Sequence, residues 1–147
     1  MGEWDASSTA EPVPAQDFTI ANAFIHPSFN PNNLQNDVAV LKLSAPVSLT
    51  SKSTIATACL GTTSYVGQRC YVAGWGKNDF GPTGAYQAIQ REVDVPVITN
   101  DACQAALRAT RLGATFVLNP TSFICAGGEA GKDACTVRKK IYILKYT

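Results

Sequence analysis

The stretch Asn36-Asp37-Val38-Ala39-Val40-Leu41-Lys42-Leu43 constrains this chain more than any other. One acid stands at the mouth of an almost continuous apolar run. With so little alternation, the run reads as a strand buried on both faces. A carboxylate at the start of such a strand is costly to desolvate unless a cation or a hydrogen-bond donor meets it. Two readings of Asp37 follow. Either it bonds local backbone amides in the turn made by Asn32, Asn33 and Asn36, or it orients a catalytic base.

A chain of 147 residues suits one domain with a sizeable apolar core. Residues 1–136 hold 8 Lys and Arg against 11 Asp and Glu, and residues 137–147 hold 4 Lys and Arg with no acid, so the net +1 hides −3 followed by +4. No basic stripe interleaved with aromatics marks a nucleic-acid surface. No apolar run nears the roughly 18–20 residues of a membrane span. Met1 leads straight into Gly2-Glu3-Trp4-Asp5, so no signal peptide is read here. Neither nucleic acid nor membrane is expected as a partner.

Five cysteines, Cys59, Cys70, Cys103, Cys125 and Cys135, stand without a Cys-x-x-Cys pair, and the single histidine, His26, is remote from them in sequence. A zinc site is therefore not expected, nor any other metal or cofactor. A disulfide framework fits better and points to an oxidising compartment. The odd count leaves at least one partner missing or on another chain. A secreted-type pattern with no secretion signal reads as a chain that has lost its front end.

Taken in order, Gly2 to Asp5 resembles a strand end, and Ala6 to Gln16, with Pro12 and Pro14, a surface loop. Asp17 to Ile25 is rich in β-formers, with Phe18, Ile20 and Phe24 on one face; a turn-rich loop, His26 to Pro31, closes it. After the Asp37 strand, Ser44 to Thr57 is a small, polar connector with Cys59 at or near its end. Cys70 to Gly76 is a short strand closed by glycines. Ile89 to Ile98 alternates, with Val93, Val95 and Val97 opposite Gln90, Glu92 and Asp94, and Pro96 predicts an edge or a bulge. Thr99 or Asn100 caps a short helix running to about Arg111 and stopped by Gly113. Phe123 to Ala126 is a last short strand before the glycine-rich loop Gly127 to Lys132. Many short strands, tight turns and one helix make an all-β pattern, a barrel or sandwich.

Three of these stretches, Asn36 to Leu43, Cys70-Tyr71-Val72-Ala73-Gly74-Trp75-Gly76 and Gly131-Lys132-Asp133-Ala134-Cys135, resemble in order successive signatures of the trypsin-like serine proteases. The resemblance covers residue 2 to about 136. Gly2-Glu3-Trp4-Asp5, the Glu11-Pro12 to Phe18 segment, Ile25-His26-Pro27 with Phe29, and Gly127-Gly128-Glu129 are similar to the arthropod clip-domain proteases and their non-catalytic homologues. That likeness implies two antiparallel β-barrels with a crevice between them. This chain would supply the end of the first barrel, the connector and part of the second, with one short helix. Residues 1–136 would be the partial protease domain and residues 137–147 a divergent basic tail.

In the family's pattern Asp37 falls at the triad aspartate and Asp133 at the floor of the specificity pocket, where an aspartate pairs with a substrate Arg or Lys. The departures are large. No Thr-Ala-Ala-His-Cys-like motif is present, and His26 lies after that site, as a surface or structural histidine. Where Gly-Asp-Ser-Gly-Gly is expected after Thr136, the chain reads Val137-Arg138-Lys139-Lys140. Losing even one triad member costs several orders of magnitude in turnover, so this chain is expected to be no enzyme. By the same analogy Cys103 pairs with Cys125, Cys70 and Cys135 pair with cysteines downstream, and Cys59 pairs with an amino-terminal segment. Those three would be unpaired in this chain, and residues 1–147 alone are expected not to form a stable monomer. The tail suggests a truncated transcript or a misassigned gene boundary, against a genuine short isoform.

For the longer protein the resemblance implies a secreted, non-catalytic homologue acting on other proteins of an extracellular immune cascade, such as one controlling melanisation. The alternative is an active trypsin-like endopeptidase cleaving after Arg or Lys. A third class, an unrelated β-domain binder, would show as one isolated sandwich.

Overall fold

The computed structural model describes residues 1–50, 54–61, 64–79 and 81–132. Among these residues, five strands and one helix follow in the order β1 (Ile20–Ile25), β2 (Ala39–Leu43), β3 (Arg69–Gly74), β4 (Arg91–Ile98), α1 (Asn100–Arg108) and β5 (Cys125–Ala126). The chain divides into two compact units: Met1–Asp17, Val47–Pro96 and residues 127–132 form the first, while Phe18–Pro46 and Val97–Ala126 form the second.

In the first unit β3 runs antiparallel to β4, with Cys70 opposite Val95 and Val72 opposite Val93. The alternation of Val93, Val95 and Val97 does what its period predicts: Val95 is buried, with Cys70 opposite it. The amino-terminal stretch joins the same unit. Asp5 bridges Ile89, and the Trp4 carbonyl accepts from the Gln90 amide at 2.9 Å and from the Trp75 indole at 3.2 Å. Glu11 Oε1 accepts from the Trp4 and Asp5 amides at 3.0 and 2.7 Å, which ties the proline-containing loop back onto that stretch.

In the second unit β1 pairs antiparallel with β2, with an irregularity between Ile20 and Asn22. β5 pairs with the end of β4 through Val97 and Ile98. Helix α1 starts where Thr99, in extended conformation, accepts from the Ala102 amide on its side chain. It stops at Arg108, three residues short of the expected end. The Thr110 hydroxyl donates to the Leu107 carbonyl at 2.6 Å, so local side-chain bonding replaces the next helical turn. Gly113 takes a φ of 81° in the turns that follow. A disulfide joins Cys103 of α1 to Cys125 of β5. Leu118 is buried, and its amide donates to Gln104 Oε1 at 2.8 Å.

Two strand readings need correction. β2 is not buried on both faces: it has one neighbour, β1, and Val40 and Leu41 are 66% and 52% exposed. No layer covers it among the described residues. Pro96 is not on an edge strand either, since β4 is the centre of the order β3-β4-β5. The proline stands where β4 exchanges partners: pairing to β3 ends at Arg69 opposite Pro96, and pairing to β5 begins at Val97. The missing N–H falls just beyond the β4–β5 ladder, which runs from Val97 opposite Ala126 to Ile98 opposite Cys125. Its carbonyl still accepts from the Gly127 amide at 2.9 Å.

Candidate functional site

The turn before β2 is built from asparagines. The Asn32 amide donates to Asn30 Oδ1 at 3.0 Å, and the Gln35 amide to Asn33 Oδ1 at 3.1 Å, each an Asx turn. Leu34 and Asn36 both take positive φ, 58° and 56°. Asn36 tolerates this because its short side chain bonds locally: Nδ2 donates to the Ser28 carbonyl at 2.9 Å. Ser122, held in the turn after Asn119, reaches the same residue. The Asn36 amide donates to Ser122 Oγ at 2.6 Å, and that hydroxyl lies 3.3 Å from Asn36 Oδ1.

Asp37 follows directly and is exposed. Among the described residues no hydrogen bond or ion pair engages its carboxylate. The expected bonding of Asp37 to local amides is therefore replaced by Asn30 and Asn33, whose Oδ1 atoms accept from the Asn32 and Gln35 amides. The asparagines satisfy the turn's donors without placing a charge at the strand. The backbone continues past the acid, with the Val38 amide on the Asn36 carbonyl at 2.8 Å and the His26 amide on the Val38 carbonyl at 3.0 Å. His26 is thus fastened beside the start of β2, but as a turn residue. Its Nδ1 accepts from the Ser28 amide at 3.1 Å.

Cys59 is free and exposed, and Cys70 is free and buried. Asp133, Cys135 and the tail 137–147 lie outside the described residues. Among the described residues no cluster of His, Cys, Asp or Glu is placed to hold a metal ion. A shallow apolar hollow of about 240 Å³ lies in the first unit between Gly2, Trp4, Glu11, Pro12, Val13 and Thr54. Its one carboxylate, Glu11, is occupied by backbone amides, so the hollow carries no acid–base pair.

Sequence reasoning missed a strong electrostatic feature among the described residues. Arg69, Asp94, Glu129 and Lys132 form a connected set of ion pairs in the first unit. Lys132 and then Arg69 pull the Asp94 carboxyl down to about 2, and Arg69 lowers Glu129. The available signals were an arginine just before Cys70 and an acid on the polar face of β4.

Residues 3–136 match the family described as Trypsin. This chain belongs to the trypsin family. It is 62% identical over 136 residues to the inactive CLIP domain-containing serine protease A3 of Aedes aegypti, covering 92% of this chain and 29% of that protein. It is 44% identical over 137 residues to phenoloxidase-activating factor 2 of Galleria mellonella, covering 91% of this chain and 44% of that protein. The chain therefore spans less than half the length of these two relatives. Among solved structures, that of GrC superposes with a TM-score of 0.67 at 26% identity, over 87% of this chain and 52% of that one. The short strands and single helix are part of the trypsin double β-barrel, close to the branch of inactive clip-domain homologues.

Proposed function

We propose that this chain is part of a secreted, non-catalytic clip-domain serine protease homologue that works through its surfaces in an immune, melanisation-type proteolytic cascade. The observation that supports it is the 62% identity with a mosquito protein named an inactive serine protease, alongside 44% identity with a phenoloxidase-activating factor. On this reading residues 1–136 are the partial protease domain and residues 137–147 stand outside it. Asp37 occupies the triad-aspartate position and Asp133 the floor of the specificity pocket. No residue of the chain fills the matching histidine and serine positions, so Asp37 has no base to orient and the chain hydrolyses nothing. Cys59 bonds an amino-terminal segment of the longer protein, and Cys70 and Cys135 bond cysteines beyond residue 136.

The test is made on the longer protein. Its sequence at the nucleophile position is read, and the purified protein is offered chromogenic Arg and Lys peptides. We expect glycine at that position, no turnover, and faster phenoloxidase activation when the protein is added to insect plasma. Serine there, with turnover that a covalent serine reagent abolishes, would replace this reading with an active trypsin-like endopeptidase.

A further inference from the structure

Four charged side chains from three separate stretches meet where β4 exchanges partners. Arg69 opens β3, Asp94 lies on β4, and Glu129 and Lys132 belong to the loop after β5. Arg69 Nε donates to Asp94 Oδ2 at 2.6 Å, and its two terminal nitrogens donate to Glu129 Oε1 and Oε2 at 2.9 and 2.8 Å. One of them also reaches the Asp94 carbonyl at 3.1 Å. Lys132 Nζ donates to Asp94 Oδ1 at 2.7 Å and lies 3.7 Å from Glu129 Oε2. Every carboxylate oxygen of the set has a cationic partner, and each charge has opposite charges for neighbours.

A lone surface ion pair holds little, because two long side chains lose freedom while water screens the attraction. Bidentate arginine geometry within a network is the exception. Here the four side chains are 32–41% exposed. The loop has few other attachments. Gly127, Gly128 and Gly131 all take positive φ, and none of residues 127–132 is buried. Its backbone is fastened by the Gly127 amide on the Pro96 carbonyl and the Lys132 amide on the Glu129 carbonyl. Glycines at three of six positions leave that backbone many alternatives to its present path.

We propose that Arg69, Asp94, Glu129 and Lys132 are an electrostatic lock that fixes the Gly127–Lys132 loop onto β3 and β4. Arg69 is its hub, since it hydrogen-bonds both the strand acid and the loop acid, whereas Lys132 hydrogen-bonds Asp94 and only approaches Glu129 at 3.7 Å. Breaking the hub loosens the loop, which keeps only the Lys132–Asp94 pair of the set to β4, while leaving the strands and α1 in place.

The test is hydrogen exchange, normalised to intrinsic rates, on the full 147-residue chain, with cleavage after Glu129 by a glutamate-specific protease as a second readout. Arg69→Gln is expected to speed loop exchange and cleavage about threefold to tenfold. Arg69→Lys, a single point of charge without the fork, falls between. Raising salt to about 1 M loosens the loop of the unaltered chain but adds little in Arg69→Gln. The amides of α1 stay unchanged throughout. The lock is overturned if the loop of the unaltered chain is already unprotected, if Arg69→Gln leaves the loop as it was, or if α1 loses protection equally. The salt comparison needs no variant, and an unresponsive loop there also refutes the proposal.

Discussion

Removing the Cys103–Cys125 bridge tests how the second unit is held. The bridge spans 22 residues and joins a nine-residue helix to a two-residue strand. A helix of that length is marginal by itself in water. Closing such a loop removes chain entropy worth about 3 kcal/mol from the unfolded ensemble, roughly a hundredfold in an opening equilibrium. Cys103 is also among the few buried apolar side chains, so Cys103→Ala adds a small loss of packing. The double variant Cys103→Ala, Cys125→Ala is compared with the oxidised chain by hydrogen exchange. The informative amides are Cys103, which donates to the Thr99 carbonyl, and Thr110, which donates to the Leu107 carbonyl. Their exchange is expected to rise about a hundredfold, or to the unprotected rate if the helix has less stability than that to lose. Amides of β3 and of β4 up to Pro96, in the other unit, should change by less than about threefold. Exchange in α1 that stays within threefold of the bridged chain would refute the argument, and would mean that capping and side-chain packing alone hold the helix.

Two further outcomes follow from surface and charge. Val40 and Ile25, 66% and 65% exposed, lie on a two-stranded sheet to which no other described strand pairs, so the isolated chain should self-associate. Val40→Lys should raise the monomer fraction in sedimentation velocity over a tenfold or wider concentration range, at a folding cost under about 0.5 kcal/mol; a monomer with sharp cooperative unfolding before substitution would contradict this. Because the folded Asp94 and Glu129 carboxyls sit below their ordinary values, the lock's contribution is complete above about pH 4.5 and is lost as pH falls through the folded values, about 2 for Asp94. Normalised loop protection should therefore be flat from neutral pH to about 4.5 and fall below it, and a change between pH 6 and 8 would assign it to another group.

The positions of the strands were largely legible, because period-two alternation and turn residues are local. Ile89 to Ile98 shows this: Val93, Val95 and Val97 alternate with polar residues, and β4 occupies most of that stretch. Thr99 likewise marks the start of α1 because a cap is a contact between near neighbours. The errors came where an outcome depends on a distant partner. The apolar run of β2 shows what the strand would bury if a layer lay over it; it carries no information on whether that layer is among the chain's own residues. Pro96 predicts an edge or a bulge because a proline removes one donor. It sits instead in a central strand, at the residue where pairing to β3 ends and just before pairing to β5 begins. The Asn36–Ser122 contact joins residues 86 apart, and Arg69–Glu129 joins residues 60 apart. Neither has a local signature, since a serine in a turn or an arginine at a strand end has many possible partners. Asp37 shows the same division. Its sequence context places it beside a strand, but its partners would have to come from elsewhere, and the bonding assigned to it locally is done by two asparagines, Asn30 and Asn33. A charged residue at a strand mouth thus reports the position of a site, whereas the groups around it decide whether that site can do chemistry.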